Sequence, residues 1–173
     1  MSDTTPILIW YRRDLRVCDH AALSAAIETG RPVIPVFIHD DLSTGLGAAS
    51  LWRLGLGVAQ LGETLAGLGS RLILRRGDAL TALQALIKET GATTLLWSRL
   101  YDPASVARDT RVKAALREQG VEARSFGGHL MFEPWSVKTK QGGFFKVYTP
   151  MWRAVRDRPV ERAEPAPQQM LSP

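Results

Sequence analysis

The strongest constraint on the fold is a junction that occurs three times along the chain. A helix-like segment ends in glycine and is followed at once by a short segment of β-forming residues, after Gly30, Gly91 and Gly120. A glycine just past a helix can adopt the left-handed backbone that closes the helix at little cost. Repeated junctions of this kind are typical of α/β folds, in which helices connect the parallel strands of one sheet.

Five segments are expected to form that sheet. They lie near residues 7–11, 33–38, 71–75, 94–98 and 122–126. Runs of Leu, Ile and Val with little alternation are typical of strands that are covered by helices on both sides. The sequence therefore predicts an α/β fold with a Rossmann-like, doubly wound, five-stranded parallel sheet and helices on both faces.

Four helices are expected between the strands, and three of them follow an aspartate that can cap the first turn. The expected caps and their helices are Asp19 for residues 20–29, Asp78 for 79–90 and Asp102 for 103–119. Pro103 favours the first turn of the last of these, because proline suits that position. The fourth helix, near 47–68, has apolar residues spaced by three and four, which places them on one face.

Three glycines fall inside that fourth helix: Gly55, Gly57 and Gly62. Each costs about 1 kcal/mol relative to alanine in a helix interior, so a close neighbour is expected there, either the sheet or a flat ligand. The stretch is not a dinucleotide-binding loop, because Gln60 stands where the third glycine of that motif belongs.

Composition excludes several classes of protein. The chain has 173 residues, a net charge of +5 and one cysteine, Cys18, so a disulfide framework and a multi-cysteine metal site are excluded. The basic balance mildly favours polyanionic partners such as DNA. No hydrolase motif and no Cys/His cluster occurs, and we expect no metal site. We find neither a signal peptide nor an apolar run that could span a membrane, and we expect a cytoplasmic monomer.

The pattern changes after Phe126. We assign residues 1–130 to the α/β domain, 131–158 to an aromatic and glycine-rich extension, and 159–173 to the start of a Pro-rich interdomain linker. We expect an exposed apolar surface in the extension that faces a missing domain. Its residues are Phe144, Phe145, Tyr148, Met151 and Trp152.

The stretch WYRRDLRVCDHAAL at 10–23 resembles the N-terminal signature of the DNA photolyase and cryptochrome family. His20 stands where that signature usually has Asn. The resemblance continues in order through VIPVFIHDD, SRLILRRGD, LLWSRLYDPASVARD and GGFFKVYTPMWRA, so it covers nearly the whole chain. It is closest to the bacterial photolyases that act on cyclobutane pyrimidine dimers.

The resemblance implies a division of labour between two domains. In the family, a C-terminal helical domain holds FAD and the damaged DNA, and the excited reduced flavin passes an electron to the pyrimidine dimer, which splits. The N-terminal α/β domain of many members holds an antenna that transfers energy to the catalytic flavin. The antenna is a folate such as methenyltetrahydrofolate or a deazaflavin, or sometimes another flavin. This chain resembles the N-terminal domain only. We therefore expect the fragment alone to lack both FAD and repair activity, whereas the parent protein would be a photolyase.

Two alternatives stay open at this point. The chain could belong to a cryptochrome-type blue-light receptor without repair activity, or it could be a nucleotide-binding module of similar topology. The arginines Arg12, Arg13 and Arg16 after the first strand either form local ion pairs with Asp14 and neighbouring carboxylates or offer donors to an antenna.

The resemblance also implies the residues of an antenna pocket at the carboxyl edge of the sheet. They are Arg13, Phe37, Asp40, Ser50, Leu100, Tyr101 and Asp102. Phe37 is expected to stack on a flat ring and Asp40 to accept a hydrogen bond from it. Deazaflavin-binding members have arginine at the place of Ser50 and aspartate at that of Leu100.

Folate-binding members of the enteric type have Asn-Glu where this chain has Ala104 and Ser105. Because the polar anchors of the folate and of the deazaflavin are replaced, we expect the pocket to hold either one weakly or not at all.

Overall fold

The computed structural model describes residues 4–173, and its centre is one five-stranded parallel sheet. The strands are β1 (Ile7–Tyr11), β2 (Val33–His39), β3 (Ile73–Arg76), β4 (Thr94–Ser98) and β5 (Glu122–Phe126). The helices are α1 (Ala21–Glu28), α2 (Asp41–Thr44), α3 (Ala48–Gly67), α4 (Ala79–Thr90), α5 (Pro103–Glu118) and α6 (Tyr148–Val155). A single 3₁₀ turn covers Pro134–Ser136. The predicted strands are confirmed, although β3 begins at Ile73 rather than at residue 71.

The strand order is β3-β2-β1-β4-β5, and every pair of neighbours is parallel. The chain therefore leaves β1 toward one edge through β2 and β3, and then crosses to the other side of β1 to form β4 and β5. This reversal defines a doubly wound sheet, and it confirms the predicted fold class.

Alternate residues of the central strands fill two separate cores. Trp10 and Trp97 point to one side, where they pack with α4 and α5, and their rings lie 6.1 Å apart. Ile9 and Tyr11 point to the other side and pack with α1 and α3. Helices on both faces thus remove the central strands from water, which explains their unbroken apolar sequences.

The start of α1 differs from the prediction. Its N-cap is His20, whose Nδ1 accepts a hydrogen bond from the backbone N–H of Leu23 at 3.1 Å. The predicted cap, Asp19, lies one residue earlier with a φ of 48°, and its backbone oxygen accepts from Arg16. The left-handed backbone at Asp19 turns the chain so that the buried imidazole, rather than the exposed carboxylate, meets the helix end.

The other predicted caps are confirmed. Asp78 accepts from the N–H of Thr81 at 2.9 Å to begin α4, and Asp102 accepts from Ser105 at 3.0 Å to begin α5. At the far end of α4, Gly91 has a φ of 67°, which a residue with a side chain adopts only with strain.

Of the three glycines of α3, only one has the close neighbour that was expected from the sequence. A Cβ at Gly57 would lie 2.8 Å from Cδ1 of Leu15, whereas Gly55 and Gly62 have open space around them. The expected close neighbour is thus a side chain from the loop after β1, and it approaches α3 at one turn. At Gly55 and Gly62 the expected close approach of the sheet is not observed.

The chain after β5 returns to the domain. The segment that was predicted to be a linker, 159–173, lies against the α1 and α3 face, where the side chain of Met170 is buried in the core. Its backbone N–H donates to Leu68 at 2.9 Å, and the oxygen of Leu171 accepts from Val33 at 2.8 Å. This segment therefore closes part of the hydrophobic core.

Candidate functional site

A cavity of about 1170 Å³ lies where α3 faces the carboxyl ends of the strands. The loops after β1, β2 and β4 and the first half of α5 form the rest of its wall. Ligands of doubly wound α/β proteins bind at this edge, because the loops that follow the parallel strands all meet there. The cavity is therefore the candidate functional site.

The lining combines an aliphatic surface with a set of cations. The leucines are Leu15, Leu42, Leu46, Leu54, Leu56 and Leu100. The arginines are Arg12, Arg13, Arg16, Arg53 and Arg108. The lining contains two carboxylates, Asp40 and Glu63. Such a wall suits a flat apolar body that carries polar or anionic groups at its rim.

Two of the arginines form a fixed part of the wall. Both oxygens of Asp109 accept from Nη1 of Arg12 at 2.7 Å, and Asp109 also accepts from Arg108 at 3.0 Å. Nη2 of Arg12 donates to the backbone oxygen of Ser98. The two guanidinium groups lie over the ring of Trp10, at 4.6 and 4.8 Å from its centroid. Burial lowers the pKa of Arg12, and the charge and hydrogen bonds of Asp109 oppose that shift.

A buried pair stands behind this wall. Nε2 of His20 lies 2.9 Å from Oδ2 of Asp14, and both side chains are almost completely buried. Burial alone would raise the pKa of Asp14, but hydrogen bonds from His20, Ser98 and the backbone of Arg12 outweigh it. The pKa of Asp14 therefore lies well below its ordinary value. The pair fixes the loop that carries the arginines.

The three arginines that follow β1 make different contacts. Arg12 binds Asp109, and Arg16 donates to the backbone oxygens of Asp19 and Gly128, each at 2.8 Å. Arg13 lies 3.5 Å from a carboxylate oxygen of Asp102. All three arginines thus make local contacts that fix the loop, and all three also line the cavity.

Four of the residues assigned to the antenna pocket from the sequence lie in the wall of this cavity. They are Arg13, Asp40, Ser50 and Leu100. Asp40 is buried, and both of its oxygens have protein partners. Oδ1 accepts from the N–H of Ser43 at 3.0 Å, and Oδ2 binds Nη1 of Arg108 at 2.5 Å. Both carboxylate oxygens of Asp40 are therefore engaged within the protein, and they fix the wall of the cavity.

The other three residues lie outside the lining. Phe37 pairs in register with Tyr11 within the sheet and is only 6% exposed. Asp102 caps α5, and the hydroxyl of Tyr101 donates to Glu133 at 2.8 Å. Burial, followed by the hydrogen bond and charge of Glu133, raises the pKa of Tyr101. The expected stacking of Phe37 on a ligand in this cavity finds no support in this geometry.

Several lining residues were not assigned to the pocket from the sequence, and α3 carries more of them than any other element. Arg53, Leu56 and Gln60 line the cavity from this helix, and Arg108 does so from α5. The available signal was helical spacing, because Arg53 and Gly57 follow Ser50 on the same face at intervals of three and four residues.

The predicted apolar surface of the extension is confirmed. We call Phe144, Phe145, Tyr148, Met151 and Trp152 the aromatic surface. Phe144 is 77%, Tyr148 66% and Trp152 45% exposed, and the other two are half-buried. The rings of Tyr148 and Trp152 stack with their centroids 6.3 Å apart and their planes at 6°.

Two further kinds of site were sought in residues 4–173. This part of the chain contains no group of three or more His, Cys, Asp or Glu side chains that could hold a metal ion. Within the same residues, no helix has the length and apolar character needed to cross a membrane.

The sequence was compared with protein families and with curated proteins. The family model described as DNA photolyase matches residues 7–169. A deoxyribodipyrimidine photo-lyase of Agrobacterium fabrum is 45% identical over 172 residues, which are 98% of this chain and 36% of that protein. Cryptochrome-1 of Arabidopsis thaliana is 38% identical over 162 residues, which are 91% of this chain and 24% of that protein.

The fold was compared with solved structures. The crystal structure of a bacterial class III photolyase from Agrobacterium tumefaciens superimposes with a TM-score of 0.95 and 43% sequence identity. The match covers 99% of this chain and 36% of that one, so the chain spans about a third of the length of these photolyases. The sheet order, the cavity at its carboxyl edge and the match over residues 7–169 lead to one conclusion: this chain belongs to the DNA photolyase family.

Proposed function

We propose that this chain is the antenna-type N-terminal domain of a light-driven DNA repair photolyase. The parent protein would split pyrimidine dimers with FAD held by a C-terminal region outside this sequence. The similarity to the Agrobacterium fabrum enzyme supports this proposal, because it extends over 98% of the chain at 45% identity. The electron transfer that splits the dimer would be carried out by the flavin cofactor, and we assign no part of it to residues of this domain.

One observation carries the antenna role, the cavity between α3 and the carboxyl ends of β1, β2 and β4. Its volume of about 1170 Å³ is ample for a tricyclic ring with a side chain. When bound, an antenna absorbs light and passes the energy to the flavin. The chain's own task is to hold and orient it, with leucines such as Leu54 and Leu100 against the ring and arginines at its rim.

The fixed wall of the cavity supports this task. Arg12 and Arg108 are held by Asp109 and by the ring of Trp10, so they keep their positions whether or not a ligand is present. A pre-organised wall spares the ligand part of the ordering cost of binding. Energy transfer depends on a fixed orientation, and a rigid wall supplies one.

The aromatic surface is the proposed contact with the C-terminal region. Exposed apolar patches on soluble domains commonly mark protein interfaces. The proposed partners of the parent protein are therefore this region and damaged DNA, and we propose that the domain alone is a monomer in the cytoplasm.

The repair function is tested on the natural protein that contains this chain together with its C-terminal region. The protein is mixed with an oligonucleotide that carries a thymine dimer, illuminated with blue light, and the restored thymines are measured by chromatography. We expect light-dependent repair by the longer protein and none by residues 1–173 alone. Absence of repair by a flavin-loaded longer protein would contradict the proposal.

A cryptochrome-type receptor is the second candidate, and the 38% identity to Cryptochrome-1 of Arabidopsis thaliana favours it. It predicts a different result in the same experiment. The flavin of the longer protein would be photoreduced by blue light, as followed by absorbance, while the dimer would persist.

A further inference from the structure

We propose that Arg53 selects the charge of the ligand in the α3 cavity by binding an anionic group on it. This inference rests on the proposed function, because it assumes that the cavity holds a flat ligand. It concerns a residue to which the resemblance assigned no role, and it follows from a comparison of the cations that line the cavity.

The buried arginines of the cavity are already neutralised. Arg12 shares Asp109 with Arg108, and Arg108 also binds Asp40 at 2.5 Å. The two cations and two carboxylates of this cluster cancel in formal charge. A ligand therefore meets no net charge on this side of the cavity.

Two further arginines are engaged by the loops. Arg16 donates to the backbone oxygens of Asp19 and Gly128, and Arg13 lies 3.5 Å from the carboxylate of Asp102. Nη2 of Arg16 also lies 4.0 Å from a carboxylate oxygen of Asp19, so both arginines have a carboxylate beside them.

Arg53 differs from these four. It is exposed, it lines the cavity, and within residues 4–173 its guanidinium has neither a hydrogen bond nor an ion pair. Nη1 would lie 3.6 Å from a Cβ placed on Gly57, so the side chain lies along α3 over the glycine one turn further on. The absence of a side chain at Gly57 leaves room for this conformation, and the guanidinium lies beside the cavity with its donors available.

Arg53 lies one turn after Ser50 on α3, and Ser50 is one of the positions assigned to the antenna pocket. The two residues are three apart on α3, so they share one face of the helix. Deazaflavin-binding relatives have an arginine at the place of Ser50, and here a cation enters the same cavity one turn later.

The nearest acidic residue of α3 in the lining does not cancel this charge. Glu63 lies ten residues after Arg53 on the same helix, which separates their backbones by about 15 Å along its axis. Asp40 is already bound to Arg108. The end of the cavity at Arg53 is therefore positive, and it suits a planar ligand with a phosphate or carboxylate group at one end.

The test uses two probes that share one ring system. Riboflavin and FMN differ by a single phosphate, and binding of each to residues 1–173 is followed by flavin fluorescence. We expect FMN to bind the unaltered chain about tenfold more tightly than riboflavin, as a charge-assisted hydrogen bond would give. In Arg53→Gln that preference should disappear through a loss of FMN affinity, with riboflavin affinity unchanged.

Arg71→Gln is the matched control, because it removes the same charge from an exposed residue that is outside the cavity lining. It should preserve the preference for FMN. Arg53→Lys should keep part of it, since lysine carries the charge without the bidentate fork. Thermal unfolding of each variant confirms that it is folded.

The two possible failures can be told apart. Equal affinity for both flavins in the unaltered chain, or an Arg53→Gln variant that keeps the preference, overturns the role of Arg53 and leaves the cavity as a ligand site. Binding of neither flavin up to the limit of solubility overturns the ligand site itself, and the role of Arg53 with it.

Discussion

His20 joins two structures through the two nitrogens of its ring: Nδ1 accepts from the first turn of α1, and Nε2 lies 2.9 Å from the carboxylate of Asp14. Because Nδ1 accepts a hydrogen bond, the ring proton is on Nε2, the nitrogen that lies beside Asp14. A single buried side chain thus fixes both the helix end and the loop that carries the arginines of the cavity.

Removal of this side chain should destabilise the domain strongly. In His20→Ala, α1 loses its cap and Asp14 stays buried without its partner, so we expect the free energy of unfolding to fall by about 3–5 kcal/mol. His20→Asn should lose less, because asparagine is a good N-cap but is too short to replace the contact with Asp14. Urea denaturation followed by circular dichroism measures both changes.

Asp19→Asn is the control for this experiment. Asp19 is exposed, it does not cap α1, and its φ of 48° is a conformation that asparagine tolerates well. We expect this variant to lose less than about 1 kcal/mol, and a larger loss would show that the charge at residue 19, rather than the imidazole at residue 20, stabilises this turn.

The depressed pKa of Asp14 predicts an acid-sensitive domain. The folded state holds this pKa below that of the unfolded chain, about 3.9, so the ionised carboxylate stabilises the fold at higher pH. That stabilisation is fully present above about pH 4 and is lost as the pH falls toward the folded pKa. Urea midpoints measured between pH 6 and 3 should fall steeply for the unaltered chain and less steeply for Asp14→Asn. Parallel curves would argue against a stabilising charge on Asp14.

The folate and deazaflavin antennas should bind the cavity weakly. Ser50 and Leu100 replace the arginine and aspartate of deazaflavin-binding relatives, and the loss of each anchor costs about 1–3 kcal/mol. Titration of residues 1–173 with methenyltetrahydrofolate and with a deazaflavin, followed by ligand fluorescence, should show no saturable binding below about 1 μM. Submicromolar binding of either ligand would show that other residues of the wall replace the missing anchors.

The domain alone should hold no stoichiometric FAD, because the family resemblance places the flavin ligands in the C-terminal region. After incubation with excess FAD and gel filtration, the absorbance ratio of flavin to protein should be far below one flavin per chain. One flavin per chain that is retained also by the Arg53→Gln variant would contradict the proposed division between the domains.

The aromatic surface should bind the C-terminal region of the parent protein. Replacement of Tyr148 and Trp152 by serine removes the stacked pair without disturbing the core, since both side chains are exposed. We expect the double variant to bind the separately produced C-terminal region at least tenfold more weakly in calorimetry, while its urea midpoint stays unchanged. Trp52→Ser, which removes an exposed tryptophan of α3, is the control and should bind normally.

The sheet could be predicted from the sequence because local signals and burial agree there. The strands have apolar side chains on both faces, and Asp78 and Asp102 cap their helices as their sequence positions indicate. Asp19 was assigned wrongly because aspartate is the commoner cap. The choice of His20 depends on a tertiary contact with Asp14 that no local pattern reveals.

The cavity was harder to predict for a related reason. Its position follows from the parallel sheet, whereas its lining depends on the separation and rotation of α3, which are set by packing. Leu15 fits against Gly57 and brings α3 close to the loop after β1. Arg53 lines the cavity one turn before Gly57. A match to family positions could not show this, because Ser50 is the only one of those positions that lies on α3.

The return of the chain to the core at Met170 has a consequence for biosynthesis. Its side chain belongs to the same buried core as Ile7, Ile9 and Leu65, which lie in the sheet and in α3 and are synthesised long before it. The core on this face is incomplete when β5 leaves the ribosome, so co-translational folding cannot finish at the end of the sheet. Until residues 170 and 171 emerge, the nascent domain keeps an unsealed apolar face, and this stage of synthesis is where chaperones have most to protect.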